Sequence, residues 1–238
     1  MLTFNIAKLK AYSANLTDET QWQTWATQEY QPLEAGTKFA TPLIPMMQAR
    51  RMGLADKMAI QLALELNQQS EIDFVVFASR HGQLSRTYKL LANFFQQGEM
   101  SPTDFATAVH NAPAGQFSIL AKQTSPISSI AAEENTFCVA ILEALLALDN
   151  GKKSVLVIFF DDQVSDFYKS HIPENEKSEA YAVGLLLTSG NEWQLSFNTC
   201  DKQETECQQG LTFLRAYFQQ KREFSLHYEQ QQWQFSRN

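Results

Sequence analysis

The stretch PISSIAAEENTFCVAILEALLAL, Pro126 to Leu148, decides how the rest of the chain is read. After a turn whose tip is Ala132-Glu133-Glu134-Asn135, it runs through Phe137, Cys138, Val139, Ala140, Ile141, Leu142, Ala144, Leu145, Leu146 and Leu148, and only Glu143 interrupts the apolar run. A helix that is apolar all round is expected to be buried all round. Such a helix belongs at the centre of a layered fold. On either side of it lie FVVFAS (Phe74 to Ser79) and SVLVIFFDD (Ser154 to Asp162), each apolar on both faces of a strand and so suited to the middle of a sheet covered on both sides.

Working outward, residues 15 to 30 predict a short helix, with Thr17 or Asp18 as cap and Trp22, Trp25 and Ala26 at i, i+3, i+4. After the loop YQPLEAGTKFATPLIP, the run from Met46 to Asn67 places Met47, Met52, Leu54, Ala55, Met58, Ala59, Leu62 and Leu66 near helical spacing and predicts one amphipathic helix. HGQLSRTYKLLANFFQQG offers a helix ending near Gly98, and SPTDFATAV another, with Ser101 as N-cap and Pro102 in the first turn. YAVGLLLTSGNEWQLSFNT predicts two antiparallel strands joined at Ser189-Gly190-Asn191-Glu192. The remainder suggests one helix and one or two edge strands. Strands interleaved with helices define an α/β class, and no composition shift divides residues 1–238, so the chain reads as one domain.

Composition narrows the function. A net charge of −7 with no Lys/Arg-rich tract argues against nucleic-acid binding. The N-terminus interrupts its apolar residues with Asn5, Lys8, Lys10 and Asn15, so no signal peptide is read, and no apolar run approaches the ~20 residues of a membrane span. The expectation is a cytoplasmic protein with reduced Cys138, Cys200 and Cys207. His81, His110, His171 and His227 lack metal-ligand spacing, and neither a metal nor a cofactor is expected.

Four blocks carry a resemblance: PLIPMMQARRMGLADKMAIQLALE, FASRHGQLSRTYKLLANFFQQGEMSPTDFATAVHNAPAGQFSI, SSIAAEENTFCVAILEALLAL and AYAVGLLLTSG. The second is the specific one, because Ser79-Arg80-His81-Gly82, Ser101-Pro102, and His110-Asn111 with Ala114-Gly115 occur together in order. On these residues the chain resembles the N-terminal half of β-ketoacyl synthases in the thiolase-like fold, and the short ketosynthase-like proteins of aryl polyene gene clusters. The resemblance implies a layered sheet with a buried central helix. Aligning the family's helix, which ends in Glu-Ala, on Glu143-Ala144 places its nucleophilic Cys on Glu134. A carboxylate there would form only a labile mixed anhydride, a poor carrier of acyl groups. The family's two histidine motifs are absent, and KSHIPE around His171 and SLHYEQ around His227 match neither.

Relatives without the cysteine act as chain-length factors. The resemblance therefore implies a non-catalytic partner of a full-length β-ketoacyl synthase, in a heterodimer or larger assembly, meeting an acyl carrier protein indirectly. It also places His110, Asn111, Gln116 and Phe117 at the subunit interface bordering the acyl tunnel, with Gln116 and Phe117 as candidates for a gate. Other readings stand beside these. His110 could satisfy backbone groups, Phe117 could fill the core, and Glu134 could be a surrogate anion that binds a partner's groups or promotes decarboxylation, or a residue left to drift and held by the helix N-terminus, the reading preferred here. Cys138, four residues after Glu134 on the same helix face, could be a displaced nucleophile but reads as a small buried residue. Arg50, Arg51, Lys57, Arg80, Arg86 and Lys89 could meet an acidic acyl carrier protein, but given the net acidity they read as a solvated face. Two other functions compete: a homodimeric acyl-binding module, and an independent hydrolase or acyltransferase, which lacks a GxSxG elbow.

Overall fold

The computed structural model describes residues 1–29, 32–173, 177, 179–201 and 204–238. The two-sided apolar runs become β2 (Phe74–Ala78) and β4 (Ser154–Asp161), hydrogen-bonded in parallel at the heart of a seven-stranded sheet. β3 (Ile127–Ile130) joins β2 in parallel at one edge. On the other side β4 meets β5 (Tyr181–Thr199) antiparallel, and β7 (Gln231–Arg237) and β6 (Glu223–Tyr228) follow, while β1 (Leu2–Ser13) pairs along β5.

Alternation along the central strands sorts the core into two layers. Val75 and Phe77 of β2 face α3 (Leu54–Asn67) and α6 (Ala112–Ala121), where Met58, Leu62, Leu66 and Phe117 are buried. Val76 and Ala78 face α7 (Thr136–Asp149), α9 (Gln209–Phe218) and α1 (Glu19–Thr27), with Phe137, Ile141, Phe213 and Trp22 filling that side. The expected α/β layering is thus present, and α7 lies against the sheet. Its burial is less complete than the sequence predicts. Leu146 is 43% exposed, and Val139, Leu142 and Glu143 are partly exposed beside it, so one stripe of α7 faces outward.

Local chemistry sets the helix ends. Asp18 caps α1 by accepting from the Gln21 N–H at 2.9 Å, while the Gln21 side chain accepts from the Asp18 N–H at 3.2 Å. The expected single helix over Met46–Asn67 is instead two: a short α2 (Met46–Ala49) and α3. Gly53 forms the N-cap of α3, and Asp56 accepts from the Gly53 N–H at 3.2 Å, which starts a new helix there. Met46 and Met47 consequently point into solvent. The remaining helices are α4 (Leu84–Gln97), stopped by left-handed Gly98, α5 (Pro102–Thr107), capped by the Ser101 hydroxyl, and the short α8 (Asp166–Lys169).

The expected hairpin at Ser189–Glu192 is a correction of a different kind, because β5 runs straight through it for 19 residues. Gly190 serves close approach, not a turn. A Cβ there would lie 2.1 Å from Asn5 Oδ1, and that same oxygen accepts from the Glu192 N–H at 3.0 Å. The irregularity falls on β1, whose register shifts at Phe4/Asn5 and at Ile6/Lys8.

Candidate functional site at the Glu134 turn

The parallel order of β3, β2 and β4 brings their C-terminal ends together, where residues 79–82, 131–135 and 161–162 meet. Glu134 lies just before α7, not in its first turn, since Asn135 is the N-cap. Its carboxylate is engaged by the guanidinium of Arg80, and both side chains are mostly buried. Arg80 therefore holds Glu134 directly, in addition to any field from the helix end.

The segment that carries Arg80 is itself tied down. Ser79 Oγ donates to buried Asp161 Oδ1 at 2.8 Å, accepts from the Gly82 N–H at 2.8 Å, and Asp161 also accepts from the His81 N–H at 3.0 Å. Burial raises the Asp161 pKa, with these hydrogen bonds and the charges of His81 and Arg80 opposing the rise. Gly82 adopts a left-handed φ of +52°, and a Cβ there would lie 2.7 Å from the His110 ring, so a larger residue would be both strained and obstructed.

The turn itself is braced from the C-terminal part of the chain. Glu133 is left-handed at φ +51°, and its carboxylate accepts from Tyr228 Oη at 2.7 Å. That hydrogen bond favours the protonated phenol and pushes the Tyr228 pKa up to about 12. Gln231 Oε1 accepts from Asn135 Nδ2 at 3.2 Å, while Gln209 donates to Asn135 Oδ1 at 3.4 Å and accepts from the Cys138 N–H at 3.3 Å. An open depression of about 800 Å³ lies over this surface, lined by Arg80, His81, Glu133, Glu134, Asn135 and Tyr228.

Cys138 is fully buried, and burial raises its thiol pKa well above the usual value. A protonated, inaccessible thiol offers no nucleophile. His110 reaches the site indirectly, with Nε2 at 2.9 Å from the Ser79 carbonyl oxygen. Asn111 is exposed ahead of α6. Phe117 is buried in the core with its ring 5.6 Å from that of Phe77, whereas Gln116 is half-buried and its Oε1 is buried without a hydrogen-bond partner among the described residues. The structure thus joins His110 to the Arg80–Glu134 knot and sets Phe117 in the other layer of the core. Sequence reasoning missed Arg80 as the partner of Glu134, placing it instead on a solvated face, and missed Asp161 and Tyr228; the Ser79-Arg80-His81-Gly82 motif was the available signal. Among the described residues no group of three His, Cys, Asp or Glu could hold a metal, and no helix is long and apolar enough to cross a membrane.

This arrangement, strand ends meeting at a turn before a central helix, is that of the thiolase-like ketosynthases. The chain belongs to the family described as β-ketoacyl synthase, N-terminal domain, whose profile matches residues 22–236. Among solved structures it is similar to a chain of the ketosynthase ApeO in complex with its chain length factor ApeC from Xenorhabdus doucetiae, at 30% identity and a TM-score of 0.92, covering 100% of both chains. It also resembles a β-ketoacyl synthase from Burkholderia phymatum STM815, at 12% identity and a TM-score of 0.61, covering 92% of this chain and 71% of that one. A third likeness is to the complex AntDE:AntF, a type II polyketide acyl carrier protein with its ketosynthase, at 15% identity and a TM-score of 0.62, covering 84% and 70%. These last two support the fold alone. Comparison with curated protein sequences gives no match.

Proposed function

We propose that this chain is a non-catalytic, chain-length-factor-like subunit that pairs with a full-length β-ketoacyl synthase and helps set the length of an acyl chain, in cytoplasmic biosynthesis of the aryl polyene type. One observation carries the reading. Glu134, the position on which the resemblance aligns the family's nucleophilic thiol, is paired with Arg80, an arrangement that satisfies a carboxylate, which is itself a poor carrier of acyl groups. In that assembly the acyl carrier protein is met through the catalytic partner.

Apolar surface supports a partner as well. Phe95 on α4, Phe105 on α5 and Ile119 on α6 are 81%, 56% and 75% exposed, and Leu91 and Phe94 on α4 and Val109 between α5 and α6 are exposed as well. Single exposed apolar residues are ordinary; several on neighbouring helices favour association. In this reading His110, Asn111, Gln116 and Phe117 belong to the subunit border and the acyl tunnel.

The test is the native mass of this protein expressed alone and together with a full-length β-ketoacyl synthase from the same genome. A stable mixed complex, with the ketosynthase supplying the reactive thiol, is the expected result. A homodimer that binds acyl chains and ignores the synthase would replace this reading with an acyl-binding module. Thioester turnover by the chain alone would replace it with an independent enzyme.

A further inference from the structure

Away from the Glu134 turn, the segment entering α3 and the helices α4 and α5 enclose a cleft of about 700 Å³. Its walls carry Arg50, Arg51, Arg86 and Lys89. On a chain of net charge −7, this is a local concentration of positive charge set against the overall field. Among the described residues none of the four forms a salt bridge. A solvated face of scattered cations does not explain why they line one concavity.

Arg86 is fixed before any ligand arrives. Its Nη1 donates to Thr107 Oγ1 at 2.9 Å and its Nη2 to the Arg51 carbonyl at 2.6 Å, while Nε is buried without a partner. A guanidinium held in place loses little freedom on meeting an anion, which favours binding. Ser85, Ser101, Thr103 and Asn93 line the same cleft with hydroxyl and amide groups. Two carboxylates, Asp104 and Asp162, also line it and lower its net charge without reversing it.

We propose that this cleft binds a phosphate-bearing small molecule, a phosphomonoester or diphosphate, through Arg51, Arg86 and Lys89. Several cations around one concave site match a multiply charged anion better than a single carboxylate. The space exceeds that of one ion and suits a ligand that extends beyond its phosphate. Because Arg86 forms part of the wall, the site favours a ligand that enters over a flat acidic protein surface. This assignment is independent of ketosynthase pairing and survives or fails separately from it.

Calorimetric titration of the whole chain with pyrophosphate, at constant ionic strength set by sodium chloride, tests the assignment. Saturable binding is expected, weakened roughly tenfold by Lys89→Gln or Arg51→Gln and strengthened by Asp162→Asn, which removes an opposing charge. Arg86→Met should abolish binding, but it also removes two structural hydrogen bonds, so the exposed Lys89 carries the decision if that variant fails to fold. Heat no larger than the chloride control, or affinity unchanged in all three charge variants, would overturn the assignment. Binding of polyglutamate with no response to pyrophosphate would overturn it too, and would give the cleft to an acidic protein.

Discussion

Arg80 and Glu134 stand 54 residues apart in sequence, and the strand end after β2 delivers the guanidinium of one onto the carboxylate of the other. Two mostly buried opposite charges hold each other in place, and removing Arg80 takes from Glu134 the cation that engages it. Arg80→Met should therefore destabilise the protein by about 2–4 kcal/mol, more than Glu134→Gln, which keeps an oxygen acceptor for the guanidinium. Urea denaturation of the two variants and the double variant gives the coupling. Additive effects would show that the pair contributes nothing as a pair. In the mixed complex, Glu134→Gln should leave condensation intact; lost activity with an intact complex would assign Glu134 a chemical role.

Gly184 on β5 packs against α3 so closely that a Cβ would lie 1.8 Å from Leu62 Cδ2 and 2.8 Å from Leu66 Cδ1. Both leucines are fully buried and have little room to move. Gly184→Ala should cost about 1–3 kcal/mol through overpacking, measured as a fall in the denaturation midpoint. Gly151→Ala meets no neighbour within 4 Å, so its effect should come from the backbone at φ +91° alone.

The central elements are legible in the sequence because their signals are local. β2 and β4 announce themselves by being apolar on both faces, and α1 and α5 by caps at Asp18 and Ser101 that lie beside the helices they start. What escapes is whatever depends on a distant partner. β1 carries Lys8 and Lys10, which look out of place in a strand until Lys8 is seen to donate to Gln69, and Lys10 to Glu65. Gly190 reads as a turn because nothing nearby shows that Asn5 will occupy the space beside it. The site was half legible: alignment on Glu143-Ala144 singles out Glu134, but its dependence on Arg80 is a tertiary fact.

Asp162 is mostly buried near Asp56 and Asp161, and burial first, then those two charges, push its pKa up to about 6 from 3.8, against the Gln163 N–H and Lys89, which lower it. The folded protein therefore binds a proton more readily than the unfolded chain between about pH 4 and 6. Stability from this group falls as pH rises through that window, and the penalty is complete above it. Asp162→Asn should stabilise the protein by about 1–3 kcal/mol at pH 7.5 and by little at pH 4. Denaturation midpoints at the two pH values check this, and an equal gain at both would mean that ionisation is not the cause.

Phe117 separates core packing from acyl-tunnel function, because its ring is fully buried against Phe77. Phe117→Ala removes a whole ring and should cost about 3–5 kcal/mol whatever the function. Phe117→Leu removes less volume and should cost about 1–2 kcal/mol, leaving a folded subunit for assay. If Phe117 also limits the acyl chain, the mixed complex with Phe117→Leu should make longer products at a similar rate, read by mass spectrometry. A stable complex with an unchanged product distribution would assign Phe117 to the core alone, and Gln116, whose buried Oε1 still lacks a donor, would be the next position to vary.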